Sequence, residues 1–149
     1  MDVKDFIVRR IVMQQQRLPG TGKALTVEVG DAYYQMAAYD REQLLVEVTS
    51  NQFLPDGAGL DGLDQKLLTE LGFEVPSEDW PNWSIRMDDP STEQMTDAAI
   101  SLTAALLRVF HVEPQVLLDA LLDEFLISHQ EAWLDPEWVT TLRSSLAFA

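Results

Sequence analysis

The chain predicts an α+β fold, an antiparallel sheet flanked by helices in the order α-β-β-β-α-β-α, with two extra helices toward the carboxy terminus. Three observations predict it. First, Leu25, Val27 and Val29, then Tyr33 to Tyr39, then Leu44, Val46 and Val48 form three runs of strand character, in which side chains two apart share a face. Second, Gly30-Asp31 and Asp40-Arg41-Glu42 separate the runs as short turns, which makes a meander of them. Third, the flanking segments repeat apolar residues at the spacing of amphipathic helices.

Taken in order, Val3 to about Arg17 reads as a helix with Val3, Ile7 and Ile11 on one stripe and Phe6, Val8 and Val12 beside it. Leu18-Pro19-Gly20-Thr21-Gly22 ends it, since proline and two glycines do not continue a helix cheaply. Gly20-Thr21-Gly22-Lys23 has some letters of a phosphate loop, but Arg17 stands where the first glycine belongs and Ala24 where Ser or Thr belongs. The Leu18 to Gly22 run also has the letters of a sorting signal, without the membrane segment that should follow one. Gly30-Asp31, with glycine first, specifies a type II′ hairpin. The second strand is ambiguous, because Tyr33, Gln35, Ala37 and Tyr39 share one face and Tyr34, Met36 and Ala38 the other. In the third strand Leu44, Val46 and Val48 make the apolar side and Leu45, Glu47 and Thr49 the mixed one.

After a loop at Asp56-Gly57-Ala58-Gly59, the leucines at Leu60, Leu63, Leu67, Leu68 and Leu71 predict a short helix closed by Gly72. Pro76 and Pro81 make Phe73 to Trp83 an extended connection, and Trp83, Ile85 and Met87 alternate as a fourth strand. Asp88-Asp89-Pro90-Ser91 starts a helix over Thr92 to Phe110, with either Pro90 in its first turn or Ser91 and Gln94 as a capping box, and its stripe is Met95, Ala98, Ala99, Leu102, Leu106 and Val109. Pro114 opens a helix with Leu117, Leu118, Leu121, Leu122, Phe125 and Leu126 opposed to Asp119, Asp123 and Glu124. Asp135-Pro136 starts a last helix, Glu137 to about Leu146, bearing Trp138, Leu142 and Leu146. Residues 1–112 are read as the α+β domain and 113–149 as a helical extension, which either covers the sheet's open face or docks on another subunit.

The 149 residues suffice for one domain that buries roughly 68 to 70 % of its unfolded surface. There is no cysteine, which excludes disulfides, thiolate zinc sites and cysteine nucleophiles and makes a reducing cytoplasm the expected compartment. The charged start (Asp2, Lys4, Asp5, Arg9, Arg10) leaves no apolar run for a signal peptide or membrane span. The net charge of −15 is uneven. Residues 1–49 carry seven acidic and six basic side chains, residues 50–100 eleven and two, and residues 101–149 seven and two. Such a field repels phosphates and anionic lipid, so neither nucleic acid nor membrane is an expected partner, and it favours basic proteins.

Candidates for catalysis are few. His111 and His129 are the only histidines, and neither lies in an HExxH helix or a metal-ligand cluster. Asp88-Asp89 and Asp123-Glu124 are carboxylate pairs, but neighbours on a helix do not share a face, and the first pair suits the positive end of the following helix. Trp80, Trp83, Trp133 and Trp138 are either buried anchors or an aromatic platform. No catalytic residue, metal ligand or cofactor is assigned. The expected partner contacts are Tyr33, Tyr34, Tyr39, Leu45, Trp80 and Trp83, centred on the neighbourhood of Tyr34 and Leu45.

Tyr34-Gln35-Met36-Ala37-Ala38, Glu47 through Leu54, Leu68 through Phe73, Pro76 and Pro81-Asn82-Trp83 together resemble the actinobacterial branch of the YbjN-like and type III secretion chaperone-like domains. The likeness spans about Phe6 to Phe110, and Ser50-Asn51-x-x-Leu54 and Leu71-Gly72-Phe73 carry most of it. It implies a curved antiparallel sheet flanked by helices and non-catalytic binding of peptides or proteins, often as a dimer. It transfers no catalytic residue, and Asn51 and Asn82 are either loop-capping or contact residues. The expected function is therefore a chaperone-like, non-enzymatic binder of a protein or peptide client. The alternative is an acidic regulatory or immunity-type inhibitor of a basic partner.

Overall fold

A single register running through the sheet decides which side of every strand is core. In the computed structural model, residues 3–39, 43–55 and 59–128 are described, with the side chains of 39 and 125–128 outside that description. Strands β1 (Ala24–Val29), β2 (Ala32–Tyr39), β3 (Gln43–Val48) and β4 (Trp83–Asp88) pair antiparallel in the order β1-β2-β3-β4. Val27, Tyr34, Val48 and Trp83 lie in one cross-strand row, and Leu25, Met36, Val46 and Ile85 in the next. Because side chains alternate, both rows share a face, and every strand residue in the main core comes from it.

Helices α1 (Val3–Gln16), α2 (Gly62–Glu70), α3 (Thr92–Ala104) and α4 (Pro114–Ser128) complete the predicted α-β-β-β-α-β-α order and its first carboxy-terminal helix. Ile7 and Ile11 of α1, Leu68 of α2, Met95, Ala99 and Leu102 of α3, and Leu117 and Leu121 of α4 pack into the core cluster with the strands. Their spacing of three and four is the reason these segments are helical, since it puts the apolar side chains on one stripe. The α4 helix is also fastened by charge. Glu124 accepts from Arg10 Nη2 at 2.7 Å, Arg17 Nη2 at 2.6 Å and Gln14 Nε2 at 3.0 Å, and Gln14 Oε1 accepts from the Tyr34 hydroxyl at 2.7 Å.

Local chemistry sets the ends. Ser91 and Gln94 form the capping box expected of α3, and Asp61 with Asp64 makes one for α2. At the other end of α2, Gly72 (φ 100°) donates to Thr69 O and Phe73 N–H donates to Leu68 O, the two bonds of a Schellman cap. Gly30 takes φ 65° while Asp31 stays at negative φ, so the β1-β2 turn is II′ rather than I′. One end differs from expectation. Instead of continuing as α-helix to Phe110, α3 passes at Ala105–Val109 into a π-helical turn, with Phe110 N–H donating to Ala105 O. The shift from four- to five-residue bonding widens the last turn, and the chain leaves through His111 in the left-handed region (φ 53°). The Asp40-Arg41-Glu42 turn, Asp56-Gly57-Ala58, His129, Trp133 and the helix from Glu137 with Trp138 lie outside the described residues.

Candidate functional site

The strand faces that miss the core form the second surface of the sheet. Thr26, Gln35, Glu47 and Ser84 make one row across it, and Ala24, Ala37, Leu45 and Arg86 the adjacent one. None of these residues belongs to the core cluster. Exposure falls from β1 to β3, with Ala24 and Thr26 exposed on β1, Gln35 and Ala37 half-buried on β2, and Leu45 and Glu47 buried on β3, while on β4 Ser84 is buried and Arg86 exposed. The connection from α2 to β4 contributes to this gradient, because Glu74 pairs with Ser84 as an isolated bridge at the outer edge of β4.

Tyr33 lies on this open face, half-buried, with its ring 6.5 Å from that of Phe53 at 56°. Its hydroxyl accepts from Asn82 Nδ2 at 3.0 Å, and the same amide group donates to Glu47 Oε2 at 3.1 Å. Asn82 Oδ1 in turn accepts from Ser50 N–H at 3.1 Å. The Ser50-Asn51 and Pro81-Asn82 pieces of sequence, 32 positions apart, are therefore joined by one side chain. Asn51 works in the same way on its own loop, where its side chain donates to Leu60 O and accepts from Leu60 N–H. In this structure both asparagines fasten loops.

The predicted contact residues divide between the two faces. Tyr33 and Leu45 lie on the open face, and Trp80 meets it through Arg86, whose guanidinium stands 5.5 Å from the indole centroid. Tyr34 and Trp83 lie on the core face at 0 % and 3 % exposure. The expected joint neighbourhood of Tyr34 and Leu45 is corrected accordingly. Tyr34 pairs with Val48 and Leu45 with Ala37, so they point to opposite sides of the sheet. Burial pushes the Tyr34 phenol up from its ordinary value. Tyr39 closes β2, and its side chain is outside the description. Phe53 was not anticipated. It is 44 % exposed in a 3-10 turn, and the only local sign of it was an aromatic residue following Ser50-Asn51.

Two concavities border the loops. One of about 320 Å³ is lined by Ser50, Gln65, Pro76, Pro81 and Trp83 among others, and one of about 500 Å³ lies at the β1-β2 turn. Among the described residues, no group of three or more His, Asp or Glu is arranged to hold a metal ion, and no helix is long and apolar enough to cross a membrane.

A family model described as type III secretion (YopN, CesT) and YbjN peptide-binding chaperone 3, TY-Chap3, matches residues 11–122. No curated protein and no solved structure matches the chain.

Proposed function

Because the chain belongs to the TY-Chap3 family of peptide-binding chaperones, we propose that it is a non-enzymatic, chaperone-like binder of peptide or protein clients, with the open face of the sheet as its contact. The observation that carries this reading is the division of the sheet. All strand residues of the core cluster share one face, and the other keeps Thr26 exposed and Gln35, Ala37 and Tyr33 partly exposed beside the exposed ring of Phe53. Small, polar and aromatic side chains on a pleated surface suit an extended client, which finds hydrogen bonds and flat apolar contact there. The partner in this reading is a polypeptide, neither nucleic acid nor membrane, met in the cytoplasm by a monomer or homodimer. Residues 113–149 extend the domain of residues 1–112, and the burial of Leu117 and Leu121 in the core supports the packing of the first extension helix on that domain.

Site-specific photocrosslinking tests the contact. A photoreactive residue at Gln35 should trap clients in cells, and one at Ile100, exposed on α3, should not. Equal trapping from both positions would sink the open-face assignment. The second reading, an acidic inhibitor of a basic protein, is favoured by the eleven acidic and two basic residues between positions 50 and 100. It requires client affinity to fall steeply as salt is added, whereas apolar capture holds in high salt.

A further inference from the structure

The larger concavity, about 500 Å³, shares no residue with the open face. Val29, Leu60 and Val109 form its buried floor, and Val116, 41 % exposed, stands at its edge. Three carboxylates line it: Asp31 in the hairpin turn, Asp64 on α2 and Glu113 ahead of α4. Asp64 accepts from Asp61 N–H in the capping box, and none of the three forms an ion pair among the described residues. No lysine or arginine is among the described residues that line the cleft.

Its walls are preformed. The Asn51 side chain holds Leu60 by two hydrogen bonds, the II′ turn fixes Asp31, and the π-helical end of α3 sets the opposite wall, where Val112 N–H donates to Leu106 O. A preformed apolar cavity of this size with a few polar groups at the rim has the make-up of a ligand site. Apart from His111, every ionisable side chain that lines the cleft is a carboxylate, in a protein whose net charge is −15. An anionic ligand is repelled, and an apolar side chain flanked by cations satisfies both floor and rim.

We propose that this cleft binds a polypeptide segment in which one aliphatic or aromatic side chain is flanked by lysine or arginine. The proposal rests on the peptide-binding reading above and adds a second contact with a defined charge preference.

The test uses the full chain and two short dye-labelled peptides, each with one central leucine, flanked in one by lysines and in the other by glutamates. At low salt the lysine peptide should bind at least about tenfold more tightly than the glutamate peptide, and Asp31→Lys with Glu113→Lys should weaken it by about tenfold or more. Both substituted residues are exposed, so the fold should survive, and circular dichroism checks that. Methyl shifts should appear at Val29, Leu60 and Val109. Unchanged affinity in the double variant, or methyl shifts confined to Thr26 and Ala37, would overturn the cleft and leave the peptide-binding reading standing. Failure to bind these peptides and any member of a panel varied in charge and hydrophobicity would overturn both.

Discussion

The Tyr34 hydroxyl sits in the core, donates to Gln14, and resists ionisation because burial penalises the phenolate. The sign of its pH effect follows. A folded-state pKa raised above the ordinary value near 10 leaves stability intact below pH 10 and erodes it as pH climbs beyond, by up to about 1.4 kcal/mol per pH unit from this one group. Tyr34→Phe should cost about 1 kcal/mol at neutral pH, for the lost bond to Gln14, and should flatten the alkaline decline. Urea titrations on both sides of pH 10 measure this, and an alkaline slope identical to that of the unaltered protein would refute it. Asn82→Ala should be more costly, about 2 kcal/mol, since it strips the buried Ser50 N–H and Glu47 of a partner together. The alternation of Leu44, Val46 and Val48 was readable along the chain, but the sides of Tyr33 and Tyr34 were not. Each face of β2 offers one of these tyrosines, and only pairing of Tyr34 with Val48 selects the buried one.

Elements whose ends depend on local chemistry were the readable ones. Gly72 and the Ser91–Gln94 pair act within a few residues of themselves, so their motifs predict their geometry. Gly72→Ala should therefore destabilise by about 1 kcal/mol, through the strain of a side chain at φ 100° rather than through a clash, as no atom lies within 4 Å of the added methyl. A thermal melt unmoved by the change would contradict that. The π-helical end of α3 could not be read, because Leu106 and Val109 keep helical spacing in either geometry. The seat of α4 was also hidden, since Glu124 looked like one of several solvated carboxylates until Arg10, 2 % exposed, was brought against it. Glu124→Gln should cost about 3 kcal/mol, because it removes the carboxylate charge that faces the nearly buried Arg10 guanidinium. Hydrogen exchange in α4 should rise selectively, and uniform exchange across all helices would argue against a local clasp.

At the scale of the whole molecule, the two candidate surfaces differ in how their residues are assembled. The open face follows from strand alternation and was half visible in the sequence. The acidic cleft draws on Val29 to Ala32, on Leu54, Gly59, Leu60 and Asp64, and on Val109 to Glu113 with Val116, parts of the chain that meet only after folding. The two surfaces should also respond differently to salt. Raising ionic strength should weaken a lysine-rich ligand at the cleft and spare an apolar one on the sheet, a contrast that titration at two salt concentrations resolves.

The clasp between Arg10 and Glu124 spans 114 positions. During synthesis α1 leaves the ribosome before α4, and its polar anchor arrives on the order of ten seconds later at ordinary elongation rates. For that interval Arg10 and Gln14, buried in the finished fold, lack the carboxylate they share, and a nascent chain halted before Glu124 should expose α1 to protease while the completed chain protects it.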